Sequence, residues 1–304
     1  MRYIDKYIKH PQALALNVGY LKSVYRRNLS HPDPSPAEAE RSFKSFKRYK
    51  NGWKPLLLEE QMFEGASRCC YCMRRLNDTK GTTNIEHVIP KSLSGPKGQT
   101  QYAYYASCAP ALRDHVMMAD GFVGKHFSAV DDLDLETHMP HTTALSNLVV
   151  VCNGTRDTFK SVGCCCNAAH DSNIIMPIML MKEAETDVKY DANGIITISC
   201  NDGNLDAIIN ELNSDTLMEI RSVWYHLSRV KMDLAQVETM SKRERADWFK
   251  KAYGTDDFST LPDEVKRYSS VLDRSNEDTY WRLLLAYDWF YYYSGYANQR
   301  ATIQ

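Results

Sequence analysis

Cys69-Cys70-Tyr71-Cys72, followed by Ile85-Glu86-His87-Val88-Ile89-Pro90, is the stretch from which the rest of the chain is read. Cys69 and Cys72 form a C-x-x-C knuckle. Downstream stand Cys152 and then the run Cys164-Cys165-Cys166. Two cysteine groups far apart in a chain can converge on one zinc ion held by four thiolates. Cys69, Cys72, Cys152 and Cys166 are the expected ligands. Thirteen residues separate Cys152 from Cys166, a wider spacer than a tight knuckle uses, so Cys164 or Cys165 can stand in for Cys166. Four thiolates leave no open coordination position, which makes the expected zinc structural. Its task would be to hold the two halves of the motif together. The competing reading is a set of buried thiols, and Cys108 and Cys200 are read that way.

The chain has 304 residues and nine cysteines. That length accommodates a large core without disulfides. No apolar run reaches membrane-spanning length. The opening Met1-Arg2-Tyr3-Ile4-Asp5-Lys6 lacks an apolar leader, so a cytoplasmic protein is expected, and there a disulfide framework is unusual. Charge is unevenly spread. Residues 1–80 carry 16 Lys and Arg against 8 Asp and Glu, and the remainder 21 against 30. A basic arm beside an acidic body suits a nucleic-acid partner. It also suits a solvated helix surface.

The pattern predicts an α+β chain, mostly helical, in three parts. Residues 1–66 form a basic helical region, 67–203 hold the motifs, and 204–304 are helical again. Helices are expected at 11–29, 36–50 and about 55–66. The second opens with Ser35 as N-cap, Pro36 at the first helical position and Glu38 closing a capping box. It places Lys44, Lys47 and Arg48 beside Phe43, Phe46 and Tyr49, cations and rings that suit phosphate contact. Within 67–203 lies a long insertion, about 91–146, with little periodicity. A connection that long is usually functional or carries its own structure. A β-hairpin is expected at 187–200 around Asp191-Ala192-Asn193-Gly194. Leu217, Ile220, Trp224, Leu227 and Leu234 share a helical face. A last helix, about 276–293, is apolar on nearly every side and must pack on that face or on another chain.

After the His motif come Leu145-Ser146-Asn147-Leu148-Val149-Val150-Val151-Cys152 and Cys166-Asn167-Ala168-Ala169-His170. A C-x-x-C, an acid-His pair before a proline, an Asn-Leu strand running into a cysteine and a final Cys-Asn together resemble the HNH (ββα-metal) endonuclease superfamily over about residues 67–176. The resemblance implies a small zinc-stabilised ββα-metal core. His87 would take the proton from an attacking water, and Asn147 would hold the His87 ring by a hydrogen bond. Glu86 and Asn167 would bind one magnesium or manganese ion at the scissile phosphate. Such chemistry needs these residue types. A hard cation offsets the charge that builds on a phosphodiester in its transition state, oxygen ligands suit that cation, and a histidine titrates near neutrality. Adjacent residues of a regular strand point to opposite faces, so the strand must end or distort if Glu86 and His87 serve one site.

The opening segment, Cys69-Cys70-Tyr71-Cys72, Ile85-Glu86-His87-Val88-Ile89-Pro90-Lys91-Ser92 and Cys165-Cys166-Asn167 are similar to the PtuB-like HNH nucleases of Septu and retron-linked anti-phage systems. This likeness implies a nuclease effector in bacterial antiviral defence, cutting nucleic acid, DNA before RNA, with an ABC-type ATPase (PtuA-like) as partner. Self-association is a further expectation. The alternative is an inactive zinc-stabilised subunit that binds nucleic acid or protein.

Overall fold

Thr83–His87 (β3) alternates in burial, whereas Leu148–Cys152 (β6) is buried at every position. A short Leu-Val-Val-Val run is the pattern of a strand covered on both faces. The two pair antiparallel, with Thr83 opposite Cys152, Ile85 opposite Val150 and His87 opposite Leu148. The register follows from burial, because a one-residue slip would turn Ile85 out of the core and Glu86 into it. On its other side β6 meets a side chain in place of a strand. The Gln61 amide accepts from Val150 N at 2.7 Å and donates to Val150 O at 2.8 Å and to Arg68 O at 2.7 Å. Cys70 N also donates to Val150 O. The cysteine knuckle is thereby hung from the middle of β6.

The structure is a computed structural model that describes residues 1–6, 15–22, 50–77, 83–126, 138–153, 166, 175–199, 209–210, 212–228, 239–241, 243–244, 247 and 284–293. The basic helix expected at 36–50 lies, but for Lys50, outside the described residues, and with it Lys44, Lys47 and Arg48. The chain is α+β, and among the described residues its strands form four two-stranded sheets. It divides into two units. One holds Met1–Cys70, Leu76–Asn153 and His170–Thr186, and the other Tyr71–Arg75, Gly154–Ala169 and Asp187–Gln304. The expected hairpin near 187–200 thus falls with the C-terminal residues.

In the first unit, the helix expected at about 55–66 is instead Lys50–Glu60 (α1), and Pro55 lies inside it. Residues 61–67 turn back as a hairpin of Met62–Phe63 (β1) with Ala66–Ser67 (β2). Its two turn residues, Glu64 and Gly65, have φ of 48° and 71°. Two consecutive left-handed residues make the tight turn that matches strand twist, and this stops the helical pattern short. Buried Lys6 pairs with Glu60 at the end of α1. The insertion carries its own structure: Gly95–Cys108 (α2), Pro110–His115 (α3), Val116–Met117 (β4), Ala119–His126 (α4) and Met139–Pro140 (β5). β4 and β5 pair in parallel, so the segment returns to the start of β6. Tyr102 Oη donates to Val116 O at 2.5 Å and ties α2 to that pair.

After the short helix Ala184–Asp187 (α5), Val188–Tyr190 (β7) and Ile196–Ile198 (β8) form the expected hairpin of the second unit. Asp191 Oδ1 accepts from Asn193 N and Ile195 N across the turn. Gly194 sits at φ 77°, and a Cβ there would lie 2.0 Å from Met218 O. Only glycine lets the turn press that closely on Asp215–Leu227 (α6). The aromatic segment 284–293, helical on either side of a turn at Tyr287-Asp288, packs on α6: Trp224 Nε1 donates to Leu284 O at 3.0 Å, and the Trp224 and Tyr291 ring centres are 5.9 Å apart. Arg75 pairs with buried Asp288.

Candidate functional site

Cys69, Cys72, Cys152 and Cys166 are brought together, with the four sulfur atoms within 4.8 Å of one another. All four are 2 % exposed or less, and none is in a disulfide. Zinc–sulfur bonds of about 2.3 Å in a tetrahedron put the sulfurs about 3.8 Å apart, so the donor set fits a structural zinc ion with little movement. Among the described residues Cys166 is the member of the triple run that joins the cluster, and Cys164 and Cys165 lie outside them. Backbone conformation points the same way. Met73, directly after Cys72, has φ 62°, and Cys166 has φ 55°. A side-chain-bearing residue in this region costs about 1–2 kcal/mol. Such conformations persist where the surroundings over-determine them, here at one cysteine of the cluster, Cys166, and directly after another, Cys72.

His87 is the last residue of β3 and is half-buried. Its Nε2 lies 2.9 Å from the carbonyl oxygen of Thr142. A carbonyl only accepts, so Nε2 carries the proton and Nδ1 is the proton-accepting nitrogen of the ring. Asn147 was expected to hold this ring, and it does not. It is fully buried at the end of the 3₁₀ turn Leu145–Asn147. Its Oδ1 accepts from Ile89 N at 2.6 Å, and its Nδ2 donates to Ile89 O at 3.0 Å and to His141 O at 2.7 Å. Both amide hydrogens are therefore spent on backbone. Asn147 positions His87 indirectly, by pinning the loop after the strand to the turn whose Thr142 carbonyl meets the ring.

Glu86 and His87 leave opposite faces of the ribbon, and the strand ends at His87. Glu86 Oε2 is withdrawn from solvent. Asn167, its expected partner at a catalytic ion, lies outside the described residues, as does His170. Glu86 is accordingly the one expected magnesium ligand that the described structure locates.

His141 is a residue whose place the sequence does not announce. It is fully buried, and its Nδ1 accepts from Ala119 N, the first residue of α4, at 3.0 Å. Burial pushes its pKa from 6.5 down to about 4, against the Lys91 backbone carbonyl and Asp120, which act upward. The imidazole is neutral at pH 7. Unfolded, it takes up a proton as pH falls below 6.5; folded, it resists until about 4. The stability this linkage supplies is full above pH 6.5 and is lost as pH falls toward 4, about 3 kcal/mol in all. His141→Gln should flatten that acid limb. Urea midpoints measured at intervals from pH 7.5 to 4 check this, and an equally steep limb in the variant would contradict it.

No family model matches the chain, and no curated protein or solved structure matches it. Among the described residues no helix is long and apolar enough to cross a membrane.

Proposed function

We propose that the chain is a metal-dependent HNH endonuclease with a structural zinc centre. The observation that carries this is the antiparallel pair β3–β6, which begins and ends beside the four-cysteine cluster motif and presents His87 at its end. Thr83 at the start of β3 faces Cys152 at the end of β6, so one ribbon links a zinc ligand to the histidine. His87 donates its Nε2–H to the Thr142 carbonyl, which makes Nδ1 the basic nitrogen of the ring, the form that general base catalysis on a water would use. Glu86 with Asn167 would hold a magnesium or manganese ion, whose role is to offset charge on the phosphate. The motif likeness to Septu and retron-linked nucleases supports a defence effector acting on DNA, with an ABC-type ATPase as partner.

The purified chain should nick supercoiled plasmid with magnesium or manganese, and EDTA at a level that spares the zinc should stop it. A zinc-loaded chain that cuts neither DNA nor RNA, alone or with its co-purified ATPase, would make it a binding subunit instead.

A further inference from the structure

Pro140, the last residue of β5, opens a tight turn in which Thr143 N donates back to Pro140 O at 2.9 Å. A trans peptide holds its C=O and N–H on opposite sides. The bond from Thr143 N therefore turns the Thr142 carbonyl the other way, and there His87 Nε2 meets it at 2.9 Å. His141 is the second residue of this turn and is held at three points. Its N–H donates to Met117 O at 2.8 Å, its carbonyl accepts from Asn147 Nδ2 at 2.7 Å, and its Nδ1 accepts from Ala119 N at 3.0 Å. Met117 ends β4 and Ala119 opens α4, so two of the three anchors lie in the insertion. Ala119 N is one of the amides that a helix leaves without a partner in its first turn. Ala119 is buried, so that amide needs an acceptor from the protein, and a neutral imidazole supplies one. The His141 ring is itself fully buried, Nε2 included, and does not reach a substrate.

Two of these bonds belong to the main chain and survive any change of side chain. The bond to Ala119 is the one the imidazole adds. Without it a buried amide is left unpaired, and the turn shifts to relieve that cost. The direction of the Thr142 carbonyl matters because a carbonyl accepts and never donates. While it faces Nε2, the ring proton stays there and Nδ1 keeps its lone pair. We propose that His141 is a positioning residue for His87: by taking the N–H of Ala119 it locks the turn whose Thr142 carbonyl fixes the His87 tautomer. The insertion then serves the site as the frame of that carbonyl. The effect on catalysis rests on His87 being the general base; the effect on its tautomer does not.

Wild type, His141→Leu, His141→Asn and Ala119→Pro are compared as full chains, each also in a His87→Ala background. Leucine fills the space without an acceptor, and the asparagine Oδ1 stands where Nδ1 stood. Proline removes the donor at a first helical position, where its ring is tolerated. The first measurement is the ring-nitrogen NMR shifts of His87 at a pH where the ring is neutral, identified by their absence from His87→Ala. Wild type and His141→Asn should show the Nε2–H form alone; His141→Leu and Ala119→Pro should show a mixture of both tautomers. The second is plasmid nicking with magnesium. His141→Leu and Ala119→Pro should lower kcat by about 10²-fold, the scale of a misplaced reacting group, with KM for DNA unchanged, and His141→Asn should restore most of it. In the His87→Ala background the same changes should cost nothing further, because they act through that ring; a merely structural loss would recur there. A single tautomer kept in His141→Leu, or an equal loss with and without His87, overturns the assignment. If His141→Leu is insoluble, Ala119→Pro decides by the same two measurements. A wild-type chain that cuts no nucleic acid overturns the nuclease reading, and the tautomer spectrum still decides the role of His141.

Discussion

Cys72→Ser is expected to strip the zinc and abolish cooperative folding. The serine hydroxyl does not ionise at neutral pH, so one of the four bonds is lost outright. Three sulfurs within 4.8 Å of one another then remain in a closed site that admits no replacement ligand. Structural zinc contributes about 10–16 kcal/mol in small finger peptides, against about 5–15 kcal/mol for the whole stability of an ordinary domain. The left-handed backbone at Met73 and Cys166 would also lose what sustains it. Elemental analysis should give about one zinc per wild-type chain and close to none for Cys72→Ser. The thermal melt of the variant should broaden or vanish, and a strong chelator should reproduce this in wild type. Cys70→Ser is the control: Cys70 is equally buried but stands outside the cluster, and its variant should keep the metal. A Cys72→Ser chain with wild-type zinc and a sharp melt would refute the four-thiolate centre.

His87→Ala should lower the rate of plasmid nicking by about 10²–10⁴ while leaving zinc content and melting temperature within error of wild type. The size is that of removing a positioned general base. The expected silence in stability follows from position. His87 ends its strand, is half-buried, and donates a ring hydrogen bond to Thr142 O. The four-cysteine cluster and the Asn147 anchor do not depend on it. Wild-type cleavage in the variant removes His87 from the reaction. A variant that loses zinc or melts early would show His87 to be structural and leave the nuclease reading without its base.

Chemistry of type was legible in the sequence, and chemistry of place was not. Cysteines have few uses in such a chain, so Cys69, Cys72, Cys152 and Cys166 could be picked out by kind. The apolar Leu148–Val151 run and the alternation at Thr83–His87 were readable because burial imposes its period on side chains. The Asn147 amide was assigned to the His87 ring and instead holds the Ile89 and His141 backbone, because its partner depends on where the loops at 88–89 and 141–142 come to lie. Helix α1 lies earlier than the expected 55–66, with Pro55 interior to it, because Glu64-Gly65 becomes a hairpin turn only when both residues go left-handed. The insertion has several short elements, each below the length at which periodicity speaks.

The Gln61 amide has a consequence for colloidal behaviour. Leu148–Cys152 is a short, uncharged, β-branched segment, the kind that nucleates cross-β stacking when its main chain is left open. At the middle of that segment both Val150 backbone groups are occupied by one side chain, so a strand from another molecule finds no ladder to join there. Only an amide can do this, since it offers an acceptor and two donors at once; a carboxylate of the same shape has no donor for the two carbonyls. Gln61 therefore acts as a gatekeeper in the folded chain, and before it docks, during synthesis or refolding, the Val150 edge is open to self-templated aggregation.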